Sequence, residues 1–597
     1  MTVSESLLVF LGLVATSCGT PERPNVLLIT VDTTRADALD PSGPHAHLSP
    51  NIGAVAADAV YYANAHTVAP ITLPSHASML TGLVPPRHSV RLNGAASLPD
   101  EAVTLAELAR GAGYQTSAFV AAVVLNSEYG LAQGFEHYGE LGAIGPEESL
   151  YYAERPANEV VDETKHWLAA RDRERPFMTW VHVFDAHMPY QPPLEHFTAA
   201  GGDPYLGEVA FLDTELGRLF DALQREGVWD DTVVLLIADH GEGRGDHGEA
   251  THGPLGFEST LHVPMLLRDP RTDRRGRSRA PVSVVDVFPT LARVMGTTVP
   301  GSIDGLDLGA GDPPSDRGIY FESYFGTHSY GWAPLAGWIQ DGWKLVQTSE
   351  CELYHLAQDP IEQNNLIEAP GMEPKLRELR RALAAVFELD SLDATAAETQ
   401  AEVLGQLAGL GYVGMERAAS EFPSPFLPST QPAPHSQIEN LAAFQRAQVL
   451  SETKRHAEAV AILEPLVERA PFNGAAWRIL SGELIHLERY DDALSAARKN
   501  MELHGDWWGA NLNIGIALEG LGQADGAIPY YERAVAKNGE LDWVLSRLGG
   551  LHLERGDRQK AAEYLGILRK NLESRGEWPP KGDTLERSVA RPRGEQH

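Results

Sequence analysis

The sequence predicts an α/β domain built on a mostly parallel sheet, followed by an all-α solenoid. Three observations predict it. Apolar runs alternate with helix-like patterns from residue 24 to about 415. A Pro/Ser-rich stretch interrupts them at residues 415–437. Beyond it, residues 438–575 read as helical throughout and repeat with a fixed period. Strands alternating with helices make βαβ units, and a chain of 597 residues exceeds what one core usually serves.

The strands come first. Asn25–Val31 (NVLLITV) is an almost unbroken apolar run with β-branched residues, the mark of a parallel strand buried on both faces. It ends at Asp32. Residues 177–184 (FMTWVHVF) end at Asp185, with His187 two further on, and residues 231–238 (DTVVLLIA) end at Asp239-His240. Open α/β sheets bind ligands beyond the carboxyl ends of their strands. Asp239 with His240 there predicts metal binding, whereas for Asp185 a structural and a functional role are both open. Residues 69–82 (APITLPSHASMLTG) form a fourth element. Pro74 suits a first helical turn, so Thr72 falls at a helix N-terminus. A hydroxyl there is either an N-cap or, beside a cation, a nucleophile.

The repeat is specific. Ala459, Ala493, Ala527 and Ala561 recur every 34 residues. In the same phase stand Leu463, Ala497, Tyr531 and Leu565, and Leu480, Ile514 and Leu548. Trp477 opens one repeat and Pro471 closes the one before it. This is the period of tetratricopeptide repeats, helix–turn–helix units with a small residue where helices touch. Four units fit, starting near 440, 474, 508 and 542. Stacked, they present a concave groove that typically takes a protein or peptide partner.

Composition narrows the rest. A net charge of −34 argues against nucleic acid as a partner and requires a local positive centre for any anionic substrate. The two cysteines, Cys18 and Cys351, cannot build a disulfide framework. Leu7–Ala15 is an apolar run too short to span a bilayer, followed by Thr16, Ser17 and Cys18. Residues 1–18 read as a signal peptide ending in a lipobox-like segment. The expectation is an exported protein, lipid-anchored through Cys18 to the bacterial envelope, with Gly19 favouring the outer-membrane or periplasmic side.

Residues 24–390 resemble the sulfatase family of the alkaline phosphatase superfamily. The segments RPNVLLITVDTTRAD, TLPSHASMLTG, GLVPPRHSVR, IADHGEGRGDHGE, VSVVDVFPTL and ELYHLAQDPIEQNNL carry the resemblance, in order. It implies an alkaline-phosphatase-like catalytic domain over 24–414 acting on phosphate or sulfate esters. It also implies one divalent metal ion (Ca²⁺, Mg²⁺, Mn²⁺ or Zn²⁺) held by Asp32, Thr72, Asp239 and His240. Thr72 takes the nucleophile position, and His187 and His252 are candidates to protonate the leaving group. Ser75 would support the turn without attacking. The sequence also departs from the family. Thr72 stands where sulfatases carry the cysteine they convert to formylglycine, and His76 replaces an arginine. Ala118-Phe119-Val120-Ala121 replaces the sulfate-binding Gly-Lys-Trp-His. These departures favour a phosphoester hydrolase or transferase. The alternatives are a sulfoesterase without formylglycine and a weakly catalytic scaffold recruiting proteins through its repeats.

Cys18→Ser should release the protein from membranes into the soluble fraction, as cell fractionation would reveal. Unchanged membrane retention contradicts the lipoprotein reading.

Overall fold

The structure, a computed structural model, describes residues 23–142, 155–299, 301–393, 395–396 and 422–575. Cys18 and residues 415–421 lie outside them. Among the described residues no helix is long and apolar enough to cross a membrane.

Twelve strands form the two main sheets. In the larger, β1 (Asn25–Val31), β2 (Val60–Tyr62), β3 (Gln115–Phe119), β4 (His137–Gly139), β5 (Phe177–Val183), β6 (Thr232–Ala238), β7 (Met265–Arg268) and β8 (Gly276–Ser278) take the order β8-β2-β7-β6-β1-β5-β3-β4. All run parallel except β7, antiparallel to both its neighbours. Every residue of β5 and β6 is buried, as their continuous apolar sequences require of a sheet covered on both faces. The register sets Val31 beside both Val183 and Ala238. The chain therefore leaves three adjacent strands at one edge, with Asp32 and Asp239 following on β1 and β6.

Helix α1 (Thr72–Thr81) is buried at all ten positions and ends at Gly82, whose φ of 71° is the left-handed cap conformation. A Cβ at Gly82 would lie 3.0 Å from the Phe288 ring, so glycine also permits α4 (Val287–Val294) to pack on α1. Helices α2 (Ala157–Ala170) and α3 (Pro204–Arg225) pack against each other. The smaller sheet is antiparallel, β9 (Ile319–Ser323), β10 (Leu335–Gln340), β11 (Trp343–Gln347) and β12 (Glu352–His355) in sequence order. The short helix α5 (Phe325–Tyr330) follows β9, and α6 (Glu373–Val386) packs on β10 and β11.

The Pro/Ser-rich stretch is expected to be a linker, but its described part, residues 422–437, is fixed to the domain. The carbonyls of Pro423, Pro425 and Pro432 accept from Tyr324 Oη, Gln347 Nε2 and Ala333 N at 2.9, 3.1 and 2.9 Å. Proline has no N–H of its own to satisfy, so an extended proline-rich segment serves as a strip of acceptors. His435 donates from Nε2 to Leu255 O (2.8 Å), and its ring completes a stack of His247, Phe257 and His435.

The repeats follow as four helix pairs: α7 (Ile438–Glu452) and α8 (His456–Arg469), α9 (Gly474–His486) and α10 (Tyr490–His504), α11 (Trp508–Gly520) and α12 (Ala524–Lys537), α13 (Asp542–Glu554) and α14 (Arg558–Ser574). The phase-locked alanines Ala459, Ala493, Ala527 and Ala561 are all buried. The Trp477 indole donates to Pro471 O at 3.0 Å, which ties one repeat to the next. The expected open groove is partly occupied. The first helices of repeats one and two, α7 and α9, contact the α/β domain, at residues 246–248 and at α5. The Tyr330 and Phe444 rings meet at 5.2 Å, and one hydrophobic core runs from the large sheet through the second repeat to Ala517 on α11. The last two repeats have a core of their own.

Phe444→Ala removes a buried ring from that seam, where such truncation costs about 3 kcal/mol or more. The repeats should then unfold ahead of the α/β domain in a denaturant titration. An unchanged single transition contradicts a shared core.

Candidate metal centre and active site

The strand register brings two acidic side chains together. Oxygens of Asp32 and Asp239 and a ring nitrogen of His240 lie within 4.8 Å of one another, and all three residues are buried. Burial pushes both carboxyls above their ordinary range, Asp32 further supplying repulsion for Asp239. Asp32 Oδ1 and Asp239 Oδ2 are buried without a hydrogen-bond partner. Two such oxygens cost several kcal/mol unless a positive centre satisfies them.

Hydrogen bonds fix the ring orientations. His240 Nδ1 faces Gly241 O at 3.0 Å, and a carbonyl only accepts, so Nδ1 donates. Nε2 is turned toward Asp239 Oδ2 (3.5 Å), Asp32 Oδ1 (4.0 Å) and Thr72 Oγ1 (3.4 Å). Burial works against charge on this imidazole, but Asp239 and Asp32 outweigh it and raise its pKa. Asp239 Oδ1 accepts from His240 N (2.8 Å) and Thr33 N (3.2 Å). The second bond depends on Thr33 taking a φ of 46°, a strained choice for a β-branched residue and a mark of a functional turn. The unsatisfied oxygens and the imidazole nitrogen fit a divalent cation, with Thr72 Oγ1 alongside; oxygen donors with one imidazole do not select the ion.

The expected site residues fall as follows. Thr72 is the first residue of α1, and Ile71 holds the cap position. It is therefore no N-cap: its hydroxyl faces His240, while Asn93 Oδ1 accepts from Leu73 N (2.9 Å). The Ser75 hydroxyl is consumed by Asp239 O (2.8 Å) and Thr67 Oγ1 (3.0 Å). His76 is buried beside Trp180, donates from Nδ1 to Thr72 O (2.8 Å), and is depressed to about 3 by burial. Asp185 accepts from Ala157 N (2.8 Å) at the start of α2, a structural bond outside the cation cluster. His187 and His252 have ring centroids 5.2 Å apart, and His252 lies 4.4 Å from His240. Burial lowers the pKa of both, His187 to about 4, so they are neutral imidazoles at neutral pH. Both line a cleft of about 800 Å³ at the site.

Sequence reasoning missed two residues. His182, inside β5, accepts from Ala121 N at Nδ1 (3.2 Å), so its Nε2 carries the proton donated to Asp32 Oδ2 (3.1 Å). Glu242 is buried and pushed up to about 7 by burial. It accepts from Tyr190 Oη (3.0 Å) and faces His252 Nδ1 at 3.5 Å. The available signal was polarity out of place, a histidine in an apolar strand and a glutamate two residues past His240.

Residues 24–297 match the sulfatase family, and residues 509–536 match the tetratricopeptide repeat. The chain therefore carries a sulfatase-family domain, of the alkaline phosphatase superfamily, with a tetratricopeptide repeat toward its C-terminal end. It is 24% identical to an arylsulfatase of Clostridium perfringens, over 61% of this chain and 95% of that protein. It is 26% identical to a choline-sulfatase of Rhizobium meliloti, over 64% and 90%. The phosphonate monoester hydrolase of Agrobacterium radiobacter shares the fold, with a TM-score of 0.50 and 23% identity, over 61% and 95%. The chain is thus a sulfatase-family hydrolase, and enzymes of this family bind a divalent metal.

Asp32→Asn and Asp239→Asn should each abolish stoichiometric metal binding, read by elemental analysis. His182→Ala removes only the group that orients Asp32 and should weaken metal affinity about 10- to 100-fold. Full metal occupancy in both aspartate variants contradicts the ligand assignment.

Proposed function

We propose that this chain is a metal-dependent hydrolase or transferase of phosphate esters, with Thr72 as its nucleophile, working in the bacterial cell envelope. The observation that carries the reading is the Thr72 hydroxyl, placed at the buried start of α1 and 3.4 Å from His240 Nε2. Asp32, Asp239, His240 and Thr72 would hold the ion. Bound there, a divalent cation lowers a hydroxyl pKa and neutralises ester oxygens.

The residues supply the rest. Thr72 Oγ1 gives up its proton to bulk water and forms a bond to phosphorus, while the bond to the leaving oxygen breaks. That oxygen needs a proton; neutral His252 supplies one from Nε2 as its Nδ1 takes one from protonated Glu242, 3.5 Å away. His187 donates from Nδ1 to Met188 O (2.7 Å), which leaves Nε2 as an acceptor for a substrate hydroxyl. Water or an acceptor alcohol then attacks the covalent ester and restores Thr72. A protein or peptide bound by the later repeats, and a lipid anchor at Cys18, belong to the same proposal.

The second reading is sulfate ester hydrolysis, supported by the relatives named as sulfatases. Against it stand Thr72, which cannot become formylglycine, and the buried apolar run Ala118-Phe119-Val120-Ala121 where the family carries sulfate-binding groups.

Turnover of nitrophenyl phosphate diesters, phosphate monoesters and sulfates, each with Mn²⁺, Mg²⁺, Ca²⁺ and Zn²⁺, separates the two. Phosphate esters should be preferred. Thr72→Ala should lower kcat by several orders of magnitude and leave metal binding intact, because nucleophile loss leaves only electrostatics and binding. Near-native turnover in Thr72→Ala with a dead Ser75→Ala variant overturns the nucleophile assignment.

A further inference from the structure

The cleft that holds His187 and His252 is closed on its far side by the first repeat, not by the catalytic domain. A solenoid normally ends in a polar outer face, since no further repeat covers it. Here the outer side of repeat one bears Val449, 49% exposed, on α7 and Ile462 on α8, and both line the cleft. Opposite them the catalytic domain offers Met188, Phe325 and Tyr330. The wall is rigidly placed. Tyr330 packs on Phe444 of the same helix as Val449, and a Cβ at Gly248 would lie 2.6 Å from Ile438. Four charged residues of the repeat also line the cleft: Arg455 is held by Glu458 at 2.8 Å, and Arg446 and Glu452 flank the apolar strip. At about 800 Å³ the space suits a small-molecule group, not a folded partner.

We infer that the first tetratricopeptide repeat is a substrate-specificity wall, which binds the apolar alkyl or aryl body of the ester whose charged end meets the metal centre. The assignment rests on the hydrolase reading for the identity of that ester. The continuity of the cleft with His187 and His252 identifies its occupant as part of the substrate.

The test is equilibrium binding of octylphosphonate and methylphosphonate to the full chain supplied with Mn²⁺. Each buried methylene adds affinity, so the octyl probe should bind at least about tenfold more tightly than the methyl probe. Val449→Asp, at the exposed position, should erase that preference and leave methylphosphonate affinity and thermal unfolding unchanged. Val449→Phe, which fills the cleft without charge, should also weaken the octyl probe. Equal binding of both probes, no octyl binding, or variants that keep the preference overturn the assignment. So does a variant whose main effect is to dissociate a dimer in light scattering, since the face would then join two copies. Chain-length selectivity in binding without turnover of any ester would sink the hydrolase reading and leave the wall standing. Turnover indifferent to chain length would do the reverse.

Discussion

The structure turns on two carboxylates that should not be neighbours. Asp32 and Asp239 end adjacent parallel strands whose register gives them no room to diverge, and both are buried. Two negative charges about 4 Å apart repel by about 4 kcal/mol at the effective dielectric of a protein site, before any loss of hydration. Neutral His182, on the adjacent strand, relieves only part of this. A cation would relieve the rest, and the surroundings fit one. His182 donates to one carboxylate, two backbone amides donate to the other, and the remaining oxygens face the His240 Nε2.

The same arrangement explains why the neighbouring groups are the ones they are. Burial strips charge from His76, His182, His187 and His252, so none of them competes with the cation. Helix α1 is buried along its whole length, which holds the Thr72 hydroxyl at the centre, while Asn93 and Asp239 O occupy the nearby donors of Leu73 and Ser75. The helical repeats are part of this architecture. A proline-rich strip and a shared aromatic seam clamp them on the catalytic domain, so the first repeat lies across the mouth of the site.

Much of this was legible in the sequence, for identifiable reasons. Asn25–Val31 could be nothing but a buried strand, so Asp32 at its end was visible, and Thr232–Ala238 gave Asp239 and His240 in the same way. The 34-residue phase of Ala459, Ala493, Ala527 and Ala561 exposed the repeats. Thr72 was readable as a helix start, but its role came from family resemblance. His182 was hidden because a lone histidine in an apolar strand resembles any satisfied core residue, and its partner Asp32 is 150 residues away. Glu242 stood in a glycine-rich loop whose burial only the fold reveals. The stretch before Ile438 misled because composition reports the flexibility of an isolated chain. It says nothing of acceptor carbonyls finding donors on a folded surface.

The most direct test of the whole account is to trap the covalent enzyme. The full chain, supplied with Mn²⁺, would be mixed with a nitrophenyl phosphate ester, quenched in acid during turnover, digested and analysed by mass spectrometry. The account predicts one added phosphoryl group on the peptide that contains Thr72, with fragmentation placing it on Thr72. Turnover with the group on Ser75, or with no covalent adduct on that peptide, would contradict it.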